Sequence, residues 1–191
     1  MEEKEEYGWI IDFLPYGKSD QKNKERIVQL VGEKYFTLLE AVAKPDVELK
    51  FGMRVYIGKE KRNEIEKIKR RIGYNDLTAS ARSELEPALK KIVEIREKDF
   101  INFYNKAGPL SIRLHQLEFL QGIGKKHLNQ ILEEREKKAF ESYADIKQRI
   151  SFLPDPAHMI ANRILKELEG NEKNYLFVRP PRIEWNYKNK R

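Results

Sequence analysis

LEFLQGIGKKHLNQILEER, residues 117–135, is the stretch from which the rest of this chain is read. Leu117 and Leu120 close one helical run, Gly122-Ile123-Gly124 breaks it, and Leu128, Ile131 and Leu132 resume a helical period. Two glycines around one apolar residue permit a very tight turn, because glycine reaches backbone angles closed to other residues. A second helix starting between Gly124 and Lys126 has no capping side chain, so its first backbone N–H groups lack an internal partner. Such groups, reinforced by the helix dipole, favour a bound phosphate. Lys125 and Lys126 add charge at the same spot, and His127 comes next.

The pattern resembles the helix-hairpin-helix motif, which grips a nucleic-acid backbone without reading sequence. A plain helix–helix turn with lysines solvating its tip is the alternative. On the motif reading the binding set is Gly122, Ile123, Gly124, Lys125, Lys126 and His127. A shift of 33 residues lays LQGIGKKHLNQIL (120–132) on LPDPAHMIANRIL (153–165). Leu120 falls on Leu153, Asn129 on Asn162, Ile131 on Ile164 and Leu132 on Leu165. This reads as a tandem pair of hairpins, with turns at 121–125 and 154–157, packed about a pseudo-two-fold axis. The two turns are unequal. Asp155 sits where a helix N-cap belongs and Pro156 stands at the first helical position, a favoured pair for starting a helix. Its carboxylate occupies the N–H groups that a phosphate needs. The first hairpin is therefore expected to bind and the second to act as a structural counterweight, with His158 or Arg163 at its edge.

Upstream, residues 7–59 read as strands: YGWIIDFLP, RIVQLVG, YFTLLEAVA and MRVYIG, broken by glycine turns. In the first, Tyr7, Trp9, Ile11 and Phe13 share one face and Ile10 and Leu14 the other. IEKIKRRI (65–72) reads as a fifth strand or a short helix. The fold class is α+β: a small OB-like β-barrel over residues 1–75, then an all-α domain with tandem hairpins over 76–170. In the helical part, Ser83-Glu84-Leu85-Glu86 has capping-box spacing before Pro87, predicting a kink or restart. Leu89, Ile92, Val93, Phe100 and Phe103 form one apolar stripe, Leu114, Leu117 and Leu120 the first hairpin helix, and Ser142 to Asp145 the cap of the third. Residues 171–191 are an extended basic tail, with a strand expected at Tyr175 to Arg179. On the β-domain, Tyr16, Lys18, Lys22, Tyr35, Arg54 and Tyr56 are candidates for contact with a strand through stacking and charge.

The 191 residues include no cysteine, which excludes disulfides and cysteine-held zinc or iron–sulfur sites. Three scattered histidines point to no metal centre, and no cofactor is implied. The absence of a long apolar run argues against a membrane partner. MEEKEEYGWI has no apolar signal core, so a cytoplasmic location is expected. The formal charge of +7 suits a polyanion, yet 31 acidic residues are interspersed, so any binding site must be local.

YIGKEKRNEIEKIKRRIGYNDLT, then RLHQLEFLQGIGKKHLNQILEER and FESYADIKQRI, resemble over nearly the whole chain an uncharacterised archaeal family, a domain of unknown function. Nucleotide or nucleic-acid binding has been suggested for that family, with an OB-like part preceding helix-hairpin-helix elements. The resemblance carries no established reaction. The leading expectation is a non-enzymatic protein that binds RNA or DNA without sequence preference. One alternative is a DNA glycosylase/lyase with Lys126 as amine nucleophile and Asp145 as the downstream aspartate. Another is a protein adaptor of the ribosome or the transcription machinery.

Overall fold

The computed structural model describes residues 4–17 and 25–179. Lys18 and Lys22 lie outside the described residues, as do Pro180 onward. Five strands form one antiparallel sheet: β1 (Tyr7–Leu14), β2 (Ile27–Gly32), β3 (Leu38–Ala43), β4 (Arg54–Tyr56) and β5 (Ile65–Arg71). Their order is β4-β1-β2-β3-β5, so β4 and β5 are the two edges of a curled half-barrel. The segment IEKIKRRI is thus a strand, and its lysines and arginines decorate an edge, where charge discourages pairing with other chains.

Strand β1 is buried on both faces. Ile10 enters the core inside the curl with Val28, Leu30, Leu39 and Val55. Trp9 and Ile11 face the helices. The pairing jumps from Ile10↔Leu30 to Asp12↔Gln29, so Ile11 is an extra residue. Such a bulge re-aims the side chains beyond it. Phe13 therefore packs with Ile10's core rather than with Trp9 and Ile11, against the simple alternation. Asp12 instead receives the Thr78 hydroxyl. Gln29 beside it accepts from Thr78 N at 3.0 Å, fastening the sheet to the start of the first helix.

The β2–β3 connection is longer than a Gly32-Glu33-Lys34 hairpin turn. Glu5 is buried under it and accepts backbone N–H groups from Lys34 (2.8 Å), Tyr35 (2.9 Å) and Thr37 (3.1 Å). These bonds hold residues 33–37 out of the strand. A Cβ at Gly32 would lie 2.2 Å from the Glu5 carboxyl, so a side chain there would displace Glu5 from these bonds.

Helix α1 (Ala79–Ile95) starts at Thr78, whose Oγ1 accepts from Ala81 N at 3.0 Å. The spacing Ser83 to Glu86 is not its cap; Ser83 Oγ bonds back to Ala79 O inside a continuous helix. Pro87 within it costs about 3 kcal/mol. Leu85, Leu89 and Ile92 are fully buried and contribute about 1.5–3 kcal/mol each, which outweighs the proline. The chain breaks at Arg96, and α2 (Glu97–Lys106) carries Phe100 and Tyr104 into the same core. Arg96 donates to Glu33 O (2.7 Å) and Lys34 O (3.0 Å), clamping the β2–β3 turn to the helices.

Three more helices follow among the described residues: α3 (Lys125–Lys137), α4 (Tyr143–Arg149) and α5 (Pro156–Glu169). Ser142 caps α4 through Asp145 N at 3.0 Å, as its sequence requires. The expected strand at Tyr175 to Arg179 does not form. Its backbone N–H groups turn instead to Glu167, which accepts from Leu176 (2.7 Å), Phe177 (2.9 Å) and Val178 (2.8 Å). The Phe177 ring packs edge-on against Phe100 and Phe103 at 5.6 and 4.9 Å. Among the described residues no helix is long and apolar enough to cross a membrane.

Candidate nucleic-acid interface

Leu114 does not sit on a helix. After Gly108 the chain forms a two-stranded hairpin, β6 (Pro109–Ser111) with β7 (Leu114–His115), leaving Leu110, Ile112 and Leu114 exposed. Its base is clamped by Gln116 N to Gly108 O (3.0 Å) and Gly108 N to Gln116 Oε1 (2.9 Å). A single 3-10 turn, Gln116–Phe119, replaces the expected first helix. His115 and Glu118 cap it reciprocally: Leu117 N donates to His115 Nδ1 (3.1 Å) and His115 N to Glu118 Oε2 (2.8 Å). Leu117 and Leu120 are buried, as their pattern requires.

The Gly-Ile-Gly turn has a division of labour. Gly122 has φ +103°, and a Cβ there would lie 2.8 Å from Pro154 Cγ, so only glycine fits. Ile123 is buried. Gly124 is the N-cap of α3 in an extended conformation open to any residue, and a Cβ there meets nothing within 4 Å. No side chain caps α3. Lys125 is paired with Glu118 Oε1 at 2.6 Å, and this pair holds the Glu118 carboxyl below its ordinary range, helped by the His115 N–H. His127 Nδ1 lies 3.0 Å from Gly122 O, closing the turn. Lys126 is exposed and has no charged partner among the described residues. One of the two lysines is thus already committed.

The second turn is built as its sequence reads. Asp155 caps α5, accepting from His158 N at 2.8 Å, with Pro156 at the first position. The core positions keep the repeat: Leu128 and Ile131 are buried on α3, Ala161 and Ile164 on α5. The helix starts do not keep it. The N-cap of α3 is Gly124 and that of α5 is Asp155, so α5 begins two residues earlier in the repeat frame. Gly124, not Gly122, is the structural counterpart of Asp155. Arg163 is buried and bonded to Glu167 (2.8 Å) and Glu172 (2.9 Å), with its guanidinium 5.0 Å from the Phe119 ring. It joins the two hairpins and is not an edge contact; His158 is exposed. The turns themselves meet where Gly122 abuts Pro154 and Met159.

Of the described β-domain candidates, Arg54 and Tyr56 meet on the Tyr7 ring, and Tyr16 stands at the opposite end of β1. Tyr16, 80% exposed, lies beyond the C-terminal end of β1. Arg54 is held at the other end by a two-bonded pair with Glu33 and stacks 3.5 Å above the Tyr7 ring. Glu33 also accepts from Trp9 Nε1 at 2.9 Å, and the Arg54 pair lowers its carboxyl from the ordinary range. Tyr56 packs edge-on against Tyr7 at 5.4 Å and its hydroxyl accepts from Glu60 N. The Tyr35 ring has the Lys34 ammonium 5.0 Å and the Arg179 guanidinium 4.3 Å from its centre.

The model for a protein of unknown function, DUF655, matches residues 4–179. The chain belongs to this family. An uncharacterized protein of Methanocaldococcus jannaschii, MJ0038, is 46% identical over 177 residues, covering 92% of this chain and 80% of that protein. The crystal structure of Af1531 from Archaeoglobus fulgidus, a DUF655 member, superposes with a TM-score of 0.85 at 40% identity. It covers 92% of this chain and 100% of its own. Both relatives are archaeal, and the family description assigns no activity.

In this DUF655 chain Asp145 is engaged by Glu141 N (3.0 Å) and Arg149 (3.2 Å) around the α4 cap. Among the described residues no group of three or more His, Asp or Glu is placed to hold a metal. Sequence reading missed the His115–Glu118 cap and the Glu118–Lys125 pair, although the spacing His-x-x-Glu carries the signal. Burial, then the nearby Arg135, pushes the His115 imidazole below its ordinary range. Since Nδ1 must stay unprotonated to accept from Leu117, the folded state favours neutral His115. Its contribution is complete above the ordinary histidine value of about 6.5 and is lost as pH falls from there through the lowered folded value. Thermal stability should therefore decline below pH 6.5 more steeply in the wild type than in His115→Asn, which keeps an acceptor without titrating. Parallel pH profiles for the two would remove His115 as a source.

Proposed function

We propose that this protein binds RNA or DNA through backbone phosphate and performs no chemistry on it. The observation that carries this reading is the N-terminus of α3. It is uncapped, opens at a glycine with free space around it, and has exposed Lys126 beside it. The matched turn at α5 fills the equivalent position with Asp155. We read the two turns as tandem helix-hairpin-helix elements, the first of them built on a 3-10 turn. The sheet we read as OB-like, a barrel left open between β4 and β5, with exposed Tyr16 as its most accessible stacking side chain. Phosphate contacts of this kind position a protein without reading bases.

The test is fluorescence anisotropy with unrelated oligonucleotides across a salt series. Affinity should be indifferent to sequence and fall steeply with salt, since each neutralised phosphate of duplex DNA contributes a slope of about −0.9 in log K against log salt. Lys126→Gln should lower that slope by about one contact. A salt-independent affinity would falsify the reading.

A further inference from the structure

A second cationic site lies in the gap between the edge strands. Residues just after β4 form one side of a cleft of about 280 Å³ and β5 the other, with Ile57, Leu39 and Ile68 as its apolar lining. Five cationic side chains reach it: Lys4, Lys59, Arg62, Arg71 and Arg179. One carboxylate does, Glu5, and both its oxygens are taken by the N–H groups of Lys34, Tyr35 and Thr37. Arg62 uses Nε on Gly58 O at 2.9 Å. Lys4, Lys59 and Arg71 form no ion pair among the described residues. Lys4, Lys59 and Arg71, gathered beside a single carboxylate, repel one another, and an anion relieves that repulsion. The volume is near the lower end of small-molecule sites, about 300–1,000 Å³, which admits a small group and excludes a duplex. Thr37, Arg71 and Arg179 also line a neighbouring cleft of about 530 Å³, together with Tyr35 and Tyr74.

From this geometry we infer that the β4–β5 gap binds a phosphate monoester or diphosphate, held by Arg71, Lys59 and Lys4. Guanidinium forks pair with phosphate oxygens in two-bonded fashion, and the lysines act as point charges. The phosphate belongs to a free nucleotide or to the 5′ end of a strand. This site does not depend on phosphate contact at Gly124, so the two fail separately.

Calorimetric titration of the full chain with pyrophosphate, ADP, and one oligonucleotide with and without a 5′-phosphate tests it. At least one phosphate-bearing probe should bind and should weaken tenfold or more in Arg71→Gln/Lys59→Gln. The binding of pyrophosphate or ADP, and the affinity gained from the 5′-phosphate over the 5′-hydroxyl strand, should be unchanged in Lys126→Gln. Binding of pyrophosphate or ADP assigns the site to free phosphates. Preference for the 5′-phosphorylated over the 5′-hydroxyl strand, without binding of the small probes, assigns it to strand ends. Both substituted side chains are exposed, and Lys59→Gln alone repeats the test outside any strand. No binding by any probe would overturn it, as would pyrophosphate, ADP or 5′-phosphate recognition that survives in the cleft variants or is lost equally in Lys126→Gln.

Discussion

Glu167→Ala should lower the unfolding free energy by about 3–5 kcal/mol, the cost of breaking a buried ion pair by removing one partner. For a chain of this size that corresponds to a fall in Tm of roughly 6–20 °C. Arg163 and Glu167 have side chains only 4% and 0% exposed, and their bond is 2.8 Å long. Removal of the carboxylate leaves the guanidinium with Glu172 and Asn174 O as its remaining hydrogen-bond partners. It also deprives the N–H groups of Leu176, Phe177 and Val178 of their acceptor, and with them the seat of the Phe177 ring. Loss of stability and loss of tail docking should therefore appear together. Urea unfolding measures the first, and protease cleavage within residues 171–179 the second. Glu167→Gln retains one acceptor oxygen and should fall between. An alanine variant within about 1 kcal/mol of the wild type, its tail still protected, would show that the carboxylate does not anchor the C-terminal segment.

Glu167 illustrates what the sequence could not reveal. On α5 it is one of two glutamates, and its value depends on three N–H groups that reach it only after the chain reverses beyond Gly170. Arg54 is the same case in the sheet: an alternating strand makes it look free, yet Glu33, 21 residues away, holds it. The bulge at Ile11 was hidden because Trp9, Ile10 and Ile11 are all apolar and all buried, so period-two alternation carries no phase there. The mistaken first hairpin helix has a physical origin too. Leu114, Leu117 and Leu120 recur every third residue, which is the period of a 3-10 turn rather than of an α-helix. The clamp between Gly108 and Gln116 then folds Leu114 into β7. By contrast, the Gly-Ile-Gly turn, the Asp155-Pro156 start and the paired core positions of α3 and α5 are local patterns, and these were legible.

The frame shift between the two helix starts decides which glycine probes phosphate capture at α3. Gly122→Asp would imitate the second turn on paper, but φ +103° and Pro154 forbid a side chain there, so the variant would report damage to the fold. Gly124 is the correct position, being extended, surrounded by open space and at the N-cap of α3. Aspartate at an N-cap is worth about 1 kcal/mol of stability, though only a few tenths relative to the glycine it replaces here. The same carboxylate would occupy the N–H groups of the first turn and repel a phosphate. Charge-assisted hydrogen bonds of this kind are worth about 1.5–3 kcal/mol, and each 1.4 kcal/mol is about tenfold in affinity. Stability and binding should therefore move in opposite directions, which damage to the fold cannot produce. The decisive measurement is oligonucleotide anisotropy at fixed low salt for wild type and Gly124→Asp, with Tm recorded on the same samples. We expect affinity to fall at least tenfold while Tm holds or rises. Undiminished affinity in the stably folded variant would contradict phosphate capture at α3.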